Sequence, residues 1–174
     1  GHRDPGKAGA LRGHHQFLAK GLRYLDEGAS AADDPFASPR LEEFLYRTLA
    51  EILGLADGYC RGRGGSMHLR WAEAGAMGTN AIVGGGVPIA TGLAWAKRRQ
   101  GRGDVAFTFF GDGAVNIGAV TESMNLAALW DLPVCFFIEN NGYAVSTTIR
   151  EETRETRMSS RGGAYAIPAL RVDG

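Results

Sequence analysis

Val105-Ala106-Phe107-Thr108-Phe109-Phe110-Gly111-Asp112-Gly113 is an apolar run closed by a glycine-flanked aspartate, and its counterpart is Val134-Cys135-Phe136-Phe137-Ile138-Glu139-Asn140-Asn141. Short and continuously apolar, the first run predicts a strand buried on both faces, and the second is expected to lie beside it. Between them Val120, Met124, Ala127, Ala128 and Trp130 recur at helical spacings over 117–130, and Pro133 closes the connection. Strand, helix and strand in this order make a right-handed crossover with parallel strands. Asp112 and Asn141 then emerge at the same carboxyl edge of one sheet, the edge at which open α/β sheets bind ligands.

Two oxygen-bearing side chains at one edge can share an ion. Magnesium takes six oxygens and commonly binds few protein groups together with phosphates and water. The Asp112 carboxylate, the Asn141 amide oxygen and the Tyr143 backbone carbonyl match that preference. Gly113 lets a diphosphate approach the backbone, and the start of the next helix offers amide hydrogens to it. A Gly-Asp-Gly alone is commonly a turn; here the two strands and the paired asparagines make it a site. The strand register aims Asn141 at the metal and Asn140 at the backbone turn.

Elsewhere, Ser38-Pro39 followed by Leu41, Phe44, Leu45, Leu49, Ile52 and Leu53 predicts a capped amphipathic helix ending near Gly54. A second helix is expected over 87–99, with Pro88 in its first turn, a small apolar middle that another helix can approach closely, and Lys97-Arg98-Arg99 favouring its dipole end. The stretch 146–163, with Arg150, Arg154, Arg157 and Arg161 among glutamates and hydroxyls, reads as a mobile loop. Tyr24–Phe36 reads as a surface insertion, with Asp33-Asp34 a solvated turn. His14, His15 and His68 are read as polar packing near loops, within reach of a ligand.

With 44% hydrophobic residues and 26 glycines in 174 residues, the chain can build a substantial glycine-looped α/β core. Its formal net charge of zero excludes the one-signed basic surface that a nucleic acid or an anionic membrane requires. No apolar span of about 18 residues and no signal peptide occurs. The two cysteines, Cys60 and Cys135, are poor material for a disulfide framework and fit a reducing compartment. Gly84-Gly85-Gly86 fails the dinucleotide fingerprint because Ile89 stands where its last glycine belongs, and no Walker lysine, zinc spacing or nucleophile elbow is present.

The stretch from Gly111-Asp112-Gly113-Ala114-Val115-Asn116 through Asn125-Leu126-Ala127-Ala128-Leu129-Trp130-Asp131-Leu132-Pro133 to Glu139-Asn140-Asn141-Gly142-Tyr143 resembles thiamine diphosphate enzymes. More narrowly it is similar to the alpha subunit of the decarboxylating component of 2-oxo acid dehydrogenases. Arg12-Gly13-His14-His15, Gly64-Gly65-Ser66-Met67-His68, Asn80-Ala81-Ile82-Val83-Gly84 and Arg171-Val172-Asp173-Gly174 extend the resemblance to the last residue.

The resemblance implies an α/β thiamine diphosphate-binding fold, a mostly parallel sheet with helices on both faces, here one partial domain over residues 1–174, truncated at both ends. It implies Mg2+ on Asp112, Asn141 and the Tyr143 carbonyl, and the cofactor diphosphate on the Gly113 and Ala114 backbone and on Arg12. Ala81 and Val83 match the positions whose backbone meets the aminopyrimidine. Leu11 stands where many members carry a tyrosine, and Ala81 replaces a usual glycine. The implied activity is oxidative decarboxylation of a 2-oxo acid, pyruvate first, with acyl transfer to the lipoyl domain of the acyltransferase component. In two-chain members the pyrimidine-activating glutamate belongs to the beta subunit of a heterotetramer, so no catalytic residue is assigned to this chain. Branched-chain 2-oxo acid and acetoin dehydrogenases are alternatives, as is a catalytically silent diphosphate-binding module. The expected location is the bacterial cytoplasm, or the mitochondrial matrix in a eukaryote.

Overall fold

The computed structural model describes residues 39–101 and 103–173. The expected phosphate contact of Arg12, with Leu11, His14, His15, the 24–36 insertion and the Ser38 cap, lies outside the described residues. The chain divides between Ala81 and Ile82 into two compact units.

In the first unit, helix α1 (Pro39–Ile52) packs Leu41 and Phe44 against Leu69 and Ala76. Trp71 stacks with two aromatic neighbours, its ring centroid 5.4 Å from that of Phe44 and 5.2 Å from that of Tyr59. The expected apolar stripe is corrected in part. Leu45 is 45% exposed and Leu49 57% exposed, while Thr48 and Glu51 are buried. Leu41, Phe44, Thr48 and Glu51 lie on one helical face, and the helix turns that face inward because the Glu51 carboxylate gathers the glycine-rich loop that follows.

The second unit carries the expected strand, helix and strand. Strand β1 (Ala106–Gly111) pairs in parallel with β2 (Val134–Glu139), in register from Ala106 opposite Val134 to Gly111 opposite Glu139. Helices α2 (Gly86–Arg99) and α3 (Gly118–Leu129) pack on the face formed by Ala106, Phe110, Phe136 and Ile138, through Val87, Ala94, Val120, Met124 and Ala127. The side-chain period of two turns Phe107, Phe109 and Phe137 to the other face. There they stack on one another, with Phe107 50% and Phe137 47% exposed. Burial of β1 on both faces is therefore met on one side only among the described residues, because α2 and α3 both cover that side.

Beyond β2 the chain forms a small antiparallel pair, β3 (Tyr143–Ala144) with β4 (Thr147–Thr148), then the helical turns α4 (Ile149–Glu152) and α5 (Ser160–Gly163). The stretch read as a mobile loop thus holds regular structure. Its anchors are a capping box at the start of α4, in which the Thr148 amide donates to Glu151 Oε2 at 2.8 Å, and the Ile149 side chain on the core.

Candidate functional site

Where β1 ends, Asp112 opens a 3-10 turn running to Asn116. Asp112 is 1% exposed, and among the described residues neither of its carboxylate oxygens has a hydrogen-bond partner. A buried carboxylate without donors is costly by several kcal/mol in order of magnitude, a cost that a proton, an ordered donor or a bound cation relieves.

The contrast with Glu51 shows what a satisfied buried carboxylate looks like in this chain. Glu51 Oε2 accepts from the amides of Cys60 at 2.6 Å and Gly62 at 3.0 Å, and Oε1 from those of Gly64 at 2.6 Å and Gly65 at 3.2 Å. Burial pushes its pKa up, but the four amide bonds outweigh that and hold it below the usual carboxylate value. Gly62 sits at φ 70°, where a Cβ would also run into the Gly54 backbone. Thr79 Oγ1 then pins the loop further, donating to the Met67 carbonyl at 2.6 Å and accepting from the Leu69 amide at 2.9 Å. Gly64–His68 is thereby a wall shaped from within by Glu51.

Gly113 lies under the β3–β4 pair. A Cβ placed on it would collide with the Ala144 Cβ and come 3.2 Å from Glu152 Oε1. The glycine is required by this close approach of the chain, a reason added to the expected approach of a diphosphate. Gly113→Ala is expected to push Ala144 off the turn, lowering stability by about 1–3 kcal/mol as overpacking does. Urea unfolding of the full-length protein checks it, and a midpoint equal to the wild type's would contradict the packing described. Ala114 is buried in the core with Phe110 and Val115, leaving its main chain as the part available to a ligand.

Asn140 and Asn141 follow β2 and are exposed. Asn140 Oδ1 accepts from the Gly142 amide at 3.0 Å, and Asn141 Oδ1 from the Tyr143 amide at 3.1 Å. Both side chains thus form turns with their own backbone, so the expected division of labour between them does not appear in their hydrogen bonding. The Asn141 carbonyl oxygen keeps a second lone pair for an ion. Tyr143 begins β3, and β3 and α4 both contact the 3-10 turn. The second unit therefore brings Asp112, Gly113 and Ala114 together with the strand that carries Tyr143, next to Asn141 in the chain. Val83 is 65% exposed just before α2. Ala81 is exposed at the end of the first unit.

Arg161 closes one flank. Its Nη2 donates to Asn116 Oδ1 at 3.0 Å and Thr153 Oγ1 at 2.8 Å, tying 153–161 to the end of the 3-10 turn. Two carboxylates escaped the reading of the sequence. Glu51 left a trace, since it continues the Leu41, Phe44, Thr48 face and precedes glycines at 54, 58, 62, 64 and 65. Glu152 left none, because its place depends on the β3–β4 pair.

The family model for the dehydrogenase E1 component matches residues 41–174. The alpha subunit of the pyruvate dehydrogenase E1 component of Zymomonas mobilis is 48% identical over 126 residues, which is 72% of this chain and 36% of that protein. The alpha subunit of acetoin:2,6-dichlorophenolindophenol oxidoreductase of Cupriavidus necator is 42% identical over 167 residues, 96% of this chain and 44% of that protein. Its Bacillus subtilis namesake is 44% identical over 126 residues, 72% of this chain and 38% of that protein. The chain thus spans less than half the length of these relatives.

Proposed function

The chain belongs to the dehydrogenase E1 component family, and from that premise we propose that it is the part of a 2-oxo acid dehydrogenase alpha subunit that holds Mg2+ and the diphosphate of thiamine diphosphate. The observation that carries the reading is Asp112, buried at the end of β1 with both oxygens lacking a hydrogen-bond partner among the described residues. An acceptor-only group beside a backbone turn, an amide oxygen and a main-chain carbonyl form the hard oxygen set that Mg2+ takes alongside phosphate.

In this proposal Asp112, Asn141 and the Tyr143 carbonyl hold the ion. The Gly113 and Ala114 backbone and Arg12 hold the diphosphate, and the Ala81 and Val83 backbone meets the aminopyrimidine. When bound, thiamine diphosphate supplies the electron sink for decarboxylation. This chain binds and orients, while the beta subunit of a heterotetramer contributes the activating glutamate. Pyruvate is the proposed substrate and the lipoyl domain of the acyltransferase component the acyl acceptor, in a bacterial cytoplasm or a mitochondrial matrix.

Acetoin is the second reading, favoured by the match of the Cupriavidus necator subunit across 96% of this chain. Full-length protein assembled with its beta subunit is expected to release labelled carbon dioxide from 1-labelled pyruvate at least about tenfold faster than it reduces dye with acetoin. The reverse ratio selects the second reading, and activity of the 174-residue chain alone equal to the assembly's would overturn the division of labour between subunits.

A further inference from the structure

Glu152 is held at the same turn from several directions. Its helical turn α4 is tied to the asparagine pair by the Ile149 amide, which donates to the Gly142 carbonyl at 2.9 Å. The Thr148–Glu151 capping box closes the start of α4, and the Ile149 side chain packs on the core around Phe110, Val115 and Met124. These anchors set the Glu152 carboxylate against Gly113, with Oε1 3.2 Å from where a glycine Cβ would stand. Its Oε2 is buried and lacks a hydrogen-bond partner among the described residues. The residue before Gly113 is Asp112, 1% exposed and, among the described residues, unpartnered at both oxygens. Arg161, a cation tied to this turn, has its Nη2 on Asn116 and Thr153, and its buried Nε meets neither carboxylate, lacking a hydrogen-bond partner among the described residues.

Two carboxylates therefore flank one turn, and their buried oxygens meet no hydrogen-bond donor among the described residues. Like charges so placed repel, and each also repels a diphosphate approaching the Gly113 backbone. A divalent cation relieves both repulsions. We propose that Glu152 is a second charge of the cation site and that it orders occupation: the divalent ion binds before the diphosphate and without it, and free diphosphate is held off until the ion is in place. This rests on the reading of Asp112 given above and adds a residue and a sequence of events to it.

The test uses the full-length protein with Mn2+ alone, followed by the electron paramagnetic resonance of the free ion, and inorganic pyrophosphate in the presence of chelator, followed by calorimetry. Wild type is expected to bind Mn2+ without any anion. Glu152→Gln, nearly isosteric, is expected to weaken that binding roughly tenfold, equivalent to about 1.4 kcal/mol, and to tighten metal-free pyrophosphate binding by a similar factor. Glu152→Asp, which keeps the charge, should restore Mn2+ binding to within about threefold of wild type. Thermal melting of each variant checks its fold.

Equal Mn2+ affinity in wild type and Glu152→Gln overturns the role of Glu152. A wild type that takes Mn2+ only after thiamine diphosphate is added overturns the order, and this arm needs no variant at all. Asp112→Asn separates the two levels. If it loses joint binding of Mn2+ and thiamine diphosphate while Glu152→Gln behaves as wild type, only the present inference falls; if Asp112→Asn also binds both as wild type does, the reading of the site falls with it.

Discussion

Asp112→Ala is expected to weaken magnesium-dependent binding of thiamine diphosphate at least about 100-fold, because it removes a fully buried carboxylate placed to ligate the ion. Calorimetric titration of the full-length protein measures this, and an unchanged affinity would contradict the assignment. A second readout has the opposite sign. The Asp112 carboxylate is buried without hydrogen-bond donors among the described residues, so in protein stripped of metal Asp112→Asn should raise the melting temperature by a few degrees, on the order of 1–2 kcal/mol. Adding Mg2+ with thiamine diphosphate should stabilise wild type through binding to the native state and leave the variant nearly unmoved. A core residue without a ligand role gives no such crossing.

Glu51→Ala is the second large expectation, and it concerns stability. Removing the carboxylate strands the amides of Cys60, Gly62, Gly64 and Gly65, all of which bond to it. Each unsatisfied amide costs about 1–3 kcal/mol where water cannot reach it, and partial access keeps the total near 3–5 kcal/mol. Hydrogen exchange should show those four amides losing protection together, while the β1 and β2 amides keep theirs. Protection at 60–65 equal to wild type would contradict the role of Glu51. The same bonds set a pH dependence. The folded pKa is held below the ordinary value of 4.5, so this contribution is fully present above that value and is lost as pH falls through the lower folded one. Glu51→Gln should flatten the acid limb of the stability profile over that window.

The parallel crossover was legible in the sequence because β1, α3 and β2 each carry a strong local pattern, and parallel pairing follows from the helix between them. Asp112 was legible for the same reason, being a polar residue that ends an apolar strand. The faces of β1 were not, since Phe107 and Phe110 are equally apolar on paper and only the placement of α2 and α3 distinguishes them. The inward face of α1 was misjudged because hydrophobic spacing counts Leu45 and Leu49 as core and Glu51 as surface, whereas four amide donors outweigh the cost of burying one carboxylate. Glu152 lay beyond reach. Its position follows from a two-residue pairing, Tyr143 opposite Thr148 and Ala144 opposite Thr147, which no periodicity announces.

The central claim is that the strand-end aspartate and the chain beyond β2 form one metal and diphosphate site. Crystals of the full-length protein grown with Mn2+ and thiamine diphosphate test it most directly, through anomalous scattering from manganese. The account predicts a single strong peak in coordination range, about 2.0–2.3 Å, of an Asp112 carboxylate oxygen, Asn141 Oδ1 and the Tyr143 carbonyl, with diphosphate oxygens completing the shell against the Gly113 backbone. A manganese peak elsewhere, with Asp112 still lacking a cation while the cofactor is bound, would contradict it.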